Sequence, residues 1–93
     1  MKKITYKNLK LISNPIVIDV RDINEYNEFH ILNAINIEYF ELFHNYEKYI
    51  SKTDTYYLIC KSGYRSKKIS KKLNKLGYKT VYIVKGIDSI KFL

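Results

Sequence analysis

Cysteine, proline and glycine are scarce in this chain, and their scarcity excludes several classes of protein. The single cysteine, Cys60, cannot form an intrachain disulfide, which a domain this small would usually need outside the cell. One proline and three glycines leave little material for flexible linkers. No apolar run is long enough to cross a bilayer, and the polar residues after Met1 do not form a secretory signal. We therefore expect one domain over residues 1–93, located in the cytoplasm, with no membrane partner.

The charge of the chain is strongly positive, at +8 from 17 basic and nine acidic residues. Such an excess attracts anionic partners, such as nucleic acid or small oxyanions. It also arises from composition alone, because Lys, Ile, Asn and Tyr are abundant together. The lysines are spread over many segments and form no patch with interleaved aromatic residues. The compositional interpretation is therefore favoured, and no nucleic-acid partner is expected.

Short apolar runs alternate with helical patterns along the whole chain. Continuous apolar runs are typical of strands buried on both faces of a parallel sheet. Strands are predicted at residues 4–5, 16–20, 34–37, 56–59 and 80–84, and helical segments at residues 6–12, 22–28, 39–50 and directly after Cys60. This alternation predicts an α/β fold with a mainly parallel sheet and helices on both of its faces.

Local signals set the ends of two helices. Asp22 and Glu25 have the spacing of a capping box, which predicts a helix start at Asp22. Gly77 predicts the end of the helix that follows Cys60. The buried stripe of that helix is predicted to be Ile69, Leu73 and Leu76. Its lysines are interpreted as a solvated face: Lys67, Lys68, Lys71, Lys72 and Lys75. In the helical segment 39–50, the residues predicted to point inward are Leu42, Phe43, Tyr46 and Ile50.

Residues 60–66, Cys-Lys-Ser-Gly-Tyr-Arg-Ser, join a buried strand to the clearest helix of the chain. A short loop with a glycine can aim successive backbone N–H groups at one atom, next to the positive end of the helix. A thiol in such a cradle loses its proton more readily, and the thiolate is the reactive form. Lys61 and Arg65 add positive charge. The alternative, that Cys60 is an inert residue ending a strand, is less favoured because cations, glycine and a helix start surround it together.

Residues 60–66 resemble the active-site loop of rhodanese-family sulfurtransferases, which is Cys-x-x-Gly-x-Arg followed by Ser or Thr. Asp19-Val20-Arg21 with Glu25-Tyr26, and residues 30–37, resemble two further signatures of that family. Residues 80–84 and Gly86 resemble the region that closes its domain. The resemblance covers essentially the whole chain and implies a rhodanese-like fold with a five-stranded, largely parallel sheet.

The chain departs from the family pattern at a few positions. Phe29 and Asn33 stand where the family usually has glycine, and Leu32 stands where it has proline. Asparagine tolerates the left-handed backbone region, so Asn33 is predicted to keep the turn. Ile87 replaces a second glycine, and the usual tryptophan near the end is missing. The cysteine loop itself keeps the pattern.

The resemblance implies a thiosulfate sulfurtransferase with Cys60 as its nucleophile and no cofactor. The Cys60 thiolate would take sulfur from a small anionic donor such as thiosulfate, hold it as a persulfide and pass it to a thiol, a protein acceptor or cyanide. The substrate-binding loop would consist of Lys61, Ser62, Gly63, Tyr64 and Arg65. Lys61 would attract the doubly charged donor.

The resemblance also places Asp19 and Arg21 near the loop. Support of the loop by hydrogen bonds or charge, and a purely structural ion pair, are equally favoured roles for them. His30 is interpreted as structural and His44 as a surface residue. Two isolated histidines and one cysteine do not form a zinc site, so no metal is expected.

Two other functions compete with free sulfurtransferase activity. A sulfur-relay or partner-binding module has the same fold, and fold alone does not separate these roles. A cysteine phosphatase also uses a Cys…Arg anion loop, but phosphatase loops place five residues between Cys and Arg. Cys60 and Arg65 have four residues between them, so phosphatase activity is the minor alternative.

Overall fold

Five parallel strands form a single sheet in the computed structural model, which describes residues 2–90. The strands are β1 (Lys3–Ile4), β2 (Ile16–Asp19), β3 (Ile35–Asn36), β4 (Thr55–Ile59) and β5 (Lys79–Ile83). Their spatial order is β1-β5-β4-β2-β3, and every neighbouring pair is parallel. The predicted α/β fold with a five-stranded parallel sheet is confirmed.

Helices connect the strands and lie on both faces of the sheet. They are α1 (Tyr6–Leu9), α2 (Ile23–Glu28), α3 (Tyr39–Asn45) and α4 (Tyr64–Lys75), with 3₁₀ turns at Tyr46–Lys48 and Gly86–Ser89. We call Gly86–Ser89 the tail turn. Among these described elements no helix is long and apolar enough to cross a membrane. Residues 91–93 of the predicted tail lie outside the described residues.

Two apolar clusters, one on each face, hold the sheet between the helices. Successive strand residues point to opposite faces. Ile18 and Leu58 pack with Leu42 of α3 and Ile69 of α4, whereas Val17, on the other face, packs in a cluster that includes Leu9. The continuous apolar strands of the sequence are thus buried on both sides.

The end of α4 differs from its predicted pattern. Ile69 and Leu73 are fully buried, but the side chain of Leu76 is 41% exposed, so its predicted burial is wrong. The reason is that α4 stops at Lys75 and Leu76 has already left the helical conformation, with φ −86° and ψ 1°. Gly77 then takes a positive φ of 95°, which confirms the predicted stop.

Other segment boundaries follow local backbone geometry. The helical segment predicted at residues 39–50 is divided at Asn45, where φ is −121° and ψ is 31°. Asp22 caps α2 by accepting a hydrogen bond from the Glu25 N–H at 3.0 Å, as its spacing predicts. Asn33 has a φ of 67°, so the predicted left-handed turn is present.

Candidate functional site

Cys60 directly follows β4, the central strand of the sheet, at the carboxyl edge. Ligands of open parallel sheets bind outside this edge, where helix N-termini also point. Helix α4 begins four residues later, at Tyr64. The Cys60 side chain is only 1% exposed, so its sulfur lies at the floor of the loop formed by residues 60–66.

The cysteine loop curls around the sulfur atom. The backbone N–H groups of Gly63 and Ser66 both donate hydrogen bonds to Cys60 Sγ, at 3.1 and 3.4 Å. Gly63 makes this curl possible because it takes a φ of 97°, which residues with a Cβ rarely adopt. The predicted cradle of inward N–H groups is confirmed. Two aligned amide dipoles on one sulfur favour a negative charge there.

Ser66 offers a third hydrogen-bond donor to the same sulfur. Its hydroxyl lies 3.4 Å from Cys60 Sγ and also 3.1 Å from the carbonyl oxygen of Gly63, to which it can donate. That carbonyl already accepts the N–H of Lys67 at 3.0 Å. The hydroxyl can therefore turn from the carbonyl to the sulfur without leaving a buried oxygen unsatisfied. A thiolate at Cys60 would gain this bond.

The tail turn holds the base of the cysteine loop. The N–H groups of Ile87 and Asp88 donate to the carbonyl oxygens of Cys60 and Lys61, each at 2.9 Å. Gly86 packs directly on these carbonyls, and a Cβ at that position would come 2.1 Å from the Cys60 oxygen. Only glycine allows so close an approach of two backbone segments.

Lys61 pairs with the tail turn. Its Nζ lies 3.0 and 3.3 Å from the two carboxylate oxygens of Asp88. Both side chains are largely exposed, at 60% and 41%, so the pair is weak and screened by salt. The positive charge assigned to donor attraction is thus partly balanced by a carboxylate that the sequence pattern did not indicate.

Asp19 and Arg21 form a buried ion pair beside the loop. Arg21 Nε and Nη2 donate to the two carboxylate oxygens of Asp19, at 3.0 and 2.8 Å, and Nη2 also donates to the carbonyl of Phe29. Burial would lower the pKa of Arg21, but its hydrogen bonds to Asp19 and the attraction of that carboxylate outweigh burial, and the pKa is raised. Within residues 2–90 neither side chain is hydrogen-bonded to residues 60–66. The pair fixes the chain after β2, which favours the structural interpretation.

A cavity of about 430 Å³ opens beside the cysteine loop. Its lining includes Tyr64 and Arg65 of the loop, together with Glu38, Phe40 and His44. Of the loop residues proposed from sequence, Tyr64 and Arg65 therefore reach this cavity. Ser62 and Lys61 are exposed and do not line it.

Three residues at the site were not assigned to it from sequence. Ser66 is fully buried against the sulfur, and its place after Arg65 in the loop pattern was the available signal. The sequence pattern predicts Gly86 only as part of the region that closes the domain. Asp88 is 27 residues from Lys61 along the chain, and no local pattern indicated that they meet.

The histidines lie outside the cradle. His30 Nδ1 is 2.7 Å from the carbonyl oxygen of Tyr26, and the two rings stack with centroids 3.8 Å apart. This contact agrees with the structural interpretation of His30. His44 is exposed on α3 and lines the cavity beside Arg65.

Comparison with known proteins agrees with this geometry. Two solved structures are similar over nearly their whole length: a protein of Staphylococcus saprophyticus (33% identity, TM-score 0.86, covering 95% of this chain and 91% of that one) and a rhodanese-like domain protein of Staphylococcus aureus (32%, 0.82, 96% and 90%). The fold also matches part of an NAD-dependent persulfide reductase from A. fulgidus, with 21% identity, a TM-score of 0.75 and coverage of 96% of this chain but 16% of the reductase. The comparison with curated proteins gave no match.

The family model of the rhodanese-like domain matches residues 5–87, which include all five residues of β4, the cysteine loop and the first part of the tail turn. The resemblance of the loop, the strand order and the full-length structural matches therefore agree, and the chain belongs to the rhodanese-like domain family.

Proposed function

We propose that this protein is a sulfurtransferase that carries sulfur as a persulfide on Cys60. The observation that supports the proposal is the cradle: the N–H groups of Gly63 and Ser66 converge on Sγ, with the Ser66 hydroxyl in reach. These donors stabilise the negative charge of the Cys60 thiolate, which attacks the sulfur donor and is formed again when the acceptor takes the sulfur. Arg65 adds a cation at the wall of the adjacent cavity.

Thiosulfate is the proposed test donor. The Cys60 thiolate attacks the outer sulfur of thiosulfate, and a new S–S bond forms as the old one breaks. The bonding electron pair leaves with sulfite, which carries two negative charges, and Cys60 keeps a persulfide with one. In the second half, an acceptor thiolate attacks the outer sulfur, forms its own persulfide and releases Cys60 as the thiolate.

The acceptor must come from outside the chain. Persulfides and disulfides exchange by thiolate attack, and Cys60 is the single cysteine of the sequence. A loaded Cys60 therefore waits for an external thiol or cyanide. This requirement supports a relay between proteins as the second candidate function, in which sulfur passes to a protein thiol with little turnover of free thiosulfate.

Intact-protein mass spectrometry tests the proposal directly. Folded protein incubated with thiosulfate should gain about 32 Da, one sulfur held as a reversible cysteine persulfide, and cyanide should remove it. Cys60→Ser should show no gain and release no sulfite, because the serine hydroxyl is a far weaker nucleophile at neutral pH. A mass gain that persists in Cys60→Ser would contradict the assignment.

The same experiment separates the alternatives. A relay module would load sulfur and release it to thiols while turning over thiosulfate slowly. A binding module would show no cyanide-removable adduct on protein with a free thiol. A phosphatase would show no adduct and would hydrolyse an aryl phosphate.

A further inference from the structure

Helix α4 presents a positively charged face next to the cysteine loop. Its 12 residues contain no acid. We call its four exposed lysines the lysine face: Lys67, Lys68, Lys71 and Lys75. The ion pairs found within residues 2–90 are Asp19–Arg21 and Lys61–Asp88, so none of these lysines is paired there. No ion pair among the described residues therefore reduces the attraction of this face for an anionic partner.

An apolar groove runs along the same face. Phe43 of α3 and Leu76 lie among four lysines around a depression of about 420 Å³. Lys72 closes the gap between the helices, because its Nζ donates to the carbonyl of Phe43 at 2.6 Å and lies 3.8 Å from the centre of that ring. Leu76, predicted to be buried, is instead exposed in this groove. The face thus has an apolar floor with charged side chains around it, which matches the apolar core and polar rim of protein interfaces.

The groove is continuous with the cavity at the cysteine loop. Phe43 and Lys68 line both depressions, and a third depression joins Tyr64 to Lys67 and Lys71. The surface therefore extends along α4, whose 12 residues span about 18 Å at 1.5 Å per residue. It ends at Arg65, in the first turn of the helix, beside the cysteine loop. A partner bound here would lie beside the loop that holds Cys60.

We propose that the lysine face docks an acidic protein that gives sulfur to Cys60 or takes sulfur from it. The inference rests on the proposed function for the role of the partner, but not for its binding. Acidic side chains complement the lysines, and an apolar side chain fits the groove. A polypeptide is favoured over nucleic acid because Asp22 and Glu38 also line the cavity at the loop, where they would repel a continuous phosphate backbone. A polypeptide can place neutral or basic residues opposite them.

Binding to a defined peptide tests the surface without any sulfur chemistry. The probe is a fluorescent 14-residue peptide with four glutamates and one central leucine. The control peptide has glutamine in place of each glutamate. The glutamate peptide should bind the unloaded protein, and replacing Lys67, Lys68, Lys71 and Lys75 with Gln should weaken binding about tenfold, as expected for several exposed charge pairs. Replacing Lys2, Lys3, Lys48 and Lys79 with Gln removes the same charge elsewhere and should change binding less than twofold.

The apolar floor has its own test. Leu76→Ser should weaken binding of the glutamate peptide severalfold, and should not affect a version of the peptide in which serine replaces the leucine. Circular dichroism checks that each variant is folded. Equal losses in the two lysine variants would overturn the proposal, because binding would then follow net charge alone. An oligonucleotide of equal charge that binds more tightly than the glutamate peptide would overturn it in favour of nucleic acid.

A transfer measurement joins the surface to the proposed function. Persulfidated protein should pass sulfur faster to a glutamate peptide bearing a terminal cysteine than to its glutamine counterpart, and the lysine-face variant should lose this preference. If peptides bind as expected but no persulfide forms on Cys60, the proposed function fails and the docking surface stands. If sulfur is transferred to the glutamate and glutamine peptides at the same rate, the docking surface fails and the function stands.

Discussion

Gly86 lies so close to Cys60 that a Cβ at Gly86 would come 2.1 Å from the Cys60 carbonyl oxygen. The next residue, Ile87, donates its N–H to that same oxygen at 2.9 Å. The tail turn therefore fixes the position of the backbone that carries the proposed nucleophile. A change at Gly86 is expected to act on both stability and the cradle.

Gly86→Ala should lower the free energy of unfolding by about 3 kcal/mol, because the added methyl group overlaps the backbone of the cysteine loop and φ is positive there. Gly77→Ala is the matched control. Its φ is also positive, but its nearest neighbours are side-chain atoms of Lys52 at 3.6 Å, so only about 1 kcal/mol should be lost. Urea unfolding measures both. Equal losses would show that close packing on Cys60 is unimportant.

Asp88→Asn should lower the KM for thiosulfate by about two- to fivefold, because it frees the charge of Lys61 beside the loop. Lys61→Ala should raise KM, and in the double variant the change at Asp88 should have little further effect. Raised salt should reduce these differences. Steady-state sulfite release measures them. If Lys61→Ala has the same KM as the original protein, Lys61 is a solvated residue with no part in donor binding.

Ser66→Ala should slow alkylation of Cys60 by iodoacetamide and its loading by thiosulfate, both by about fivefold. The variant removes one donor that the sulfur anion can use, worth about 1 kcal/mol, while the Gly63 carbonyl keeps the N–H of Lys67. Ser62→Ala makes the same chemical change at an exposed position of the same loop and should leave the alkylation rate unchanged. If the two variants react alike, the hydroxyl of Ser66 does not act on the sulfur.

Asn33→Ala should cost about 1 kcal/mol of unfolding free energy, since alanine tolerates the φ of 67° poorly. Asn33→Gly should stay within about 0.5 kcal/mol of the original protein, because glycine adopts this conformation without strain. The side chain is exposed, so lost packing does not obscure the comparison. Thermal unfolding measures the stability of the original protein and of the two variants. An alanine variant as stable as the glycine variant would remove the backbone explanation for the departure from the family pattern.

Local sequence determined much of the fold. The apolar runs at residues 16–20, 56–59 and 80–84 correspond to β2, β4 and β5 within one residue at each end, because strands buried on both faces need continuous apolar side chains. The cap at Asp22, the turn at Asn33 and the stop at Gly77 depend only on neighbouring residues. The cysteine loop is predictable from the sequence for the same reason, because its cysteine, its glycine and the helix that follows are adjacent in the chain.

Tertiary structure decided what distant segments do to one another. The exposure of Leu76 follows from the end of α4 at Lys75. The spacing of apolar residues does not indicate where the helix ends. The pairing of Lys61 with Asp88 and the packing of Gly86 on Cys60 join positions about 26 residues apart, because β5 places the tail turn beside the end of β4. Hydrogen bonds within one turn can be inferred from spacing, since the backbone fixes their geometry. Contacts between the ends of neighbouring strands exist only after the sheet has aligned them.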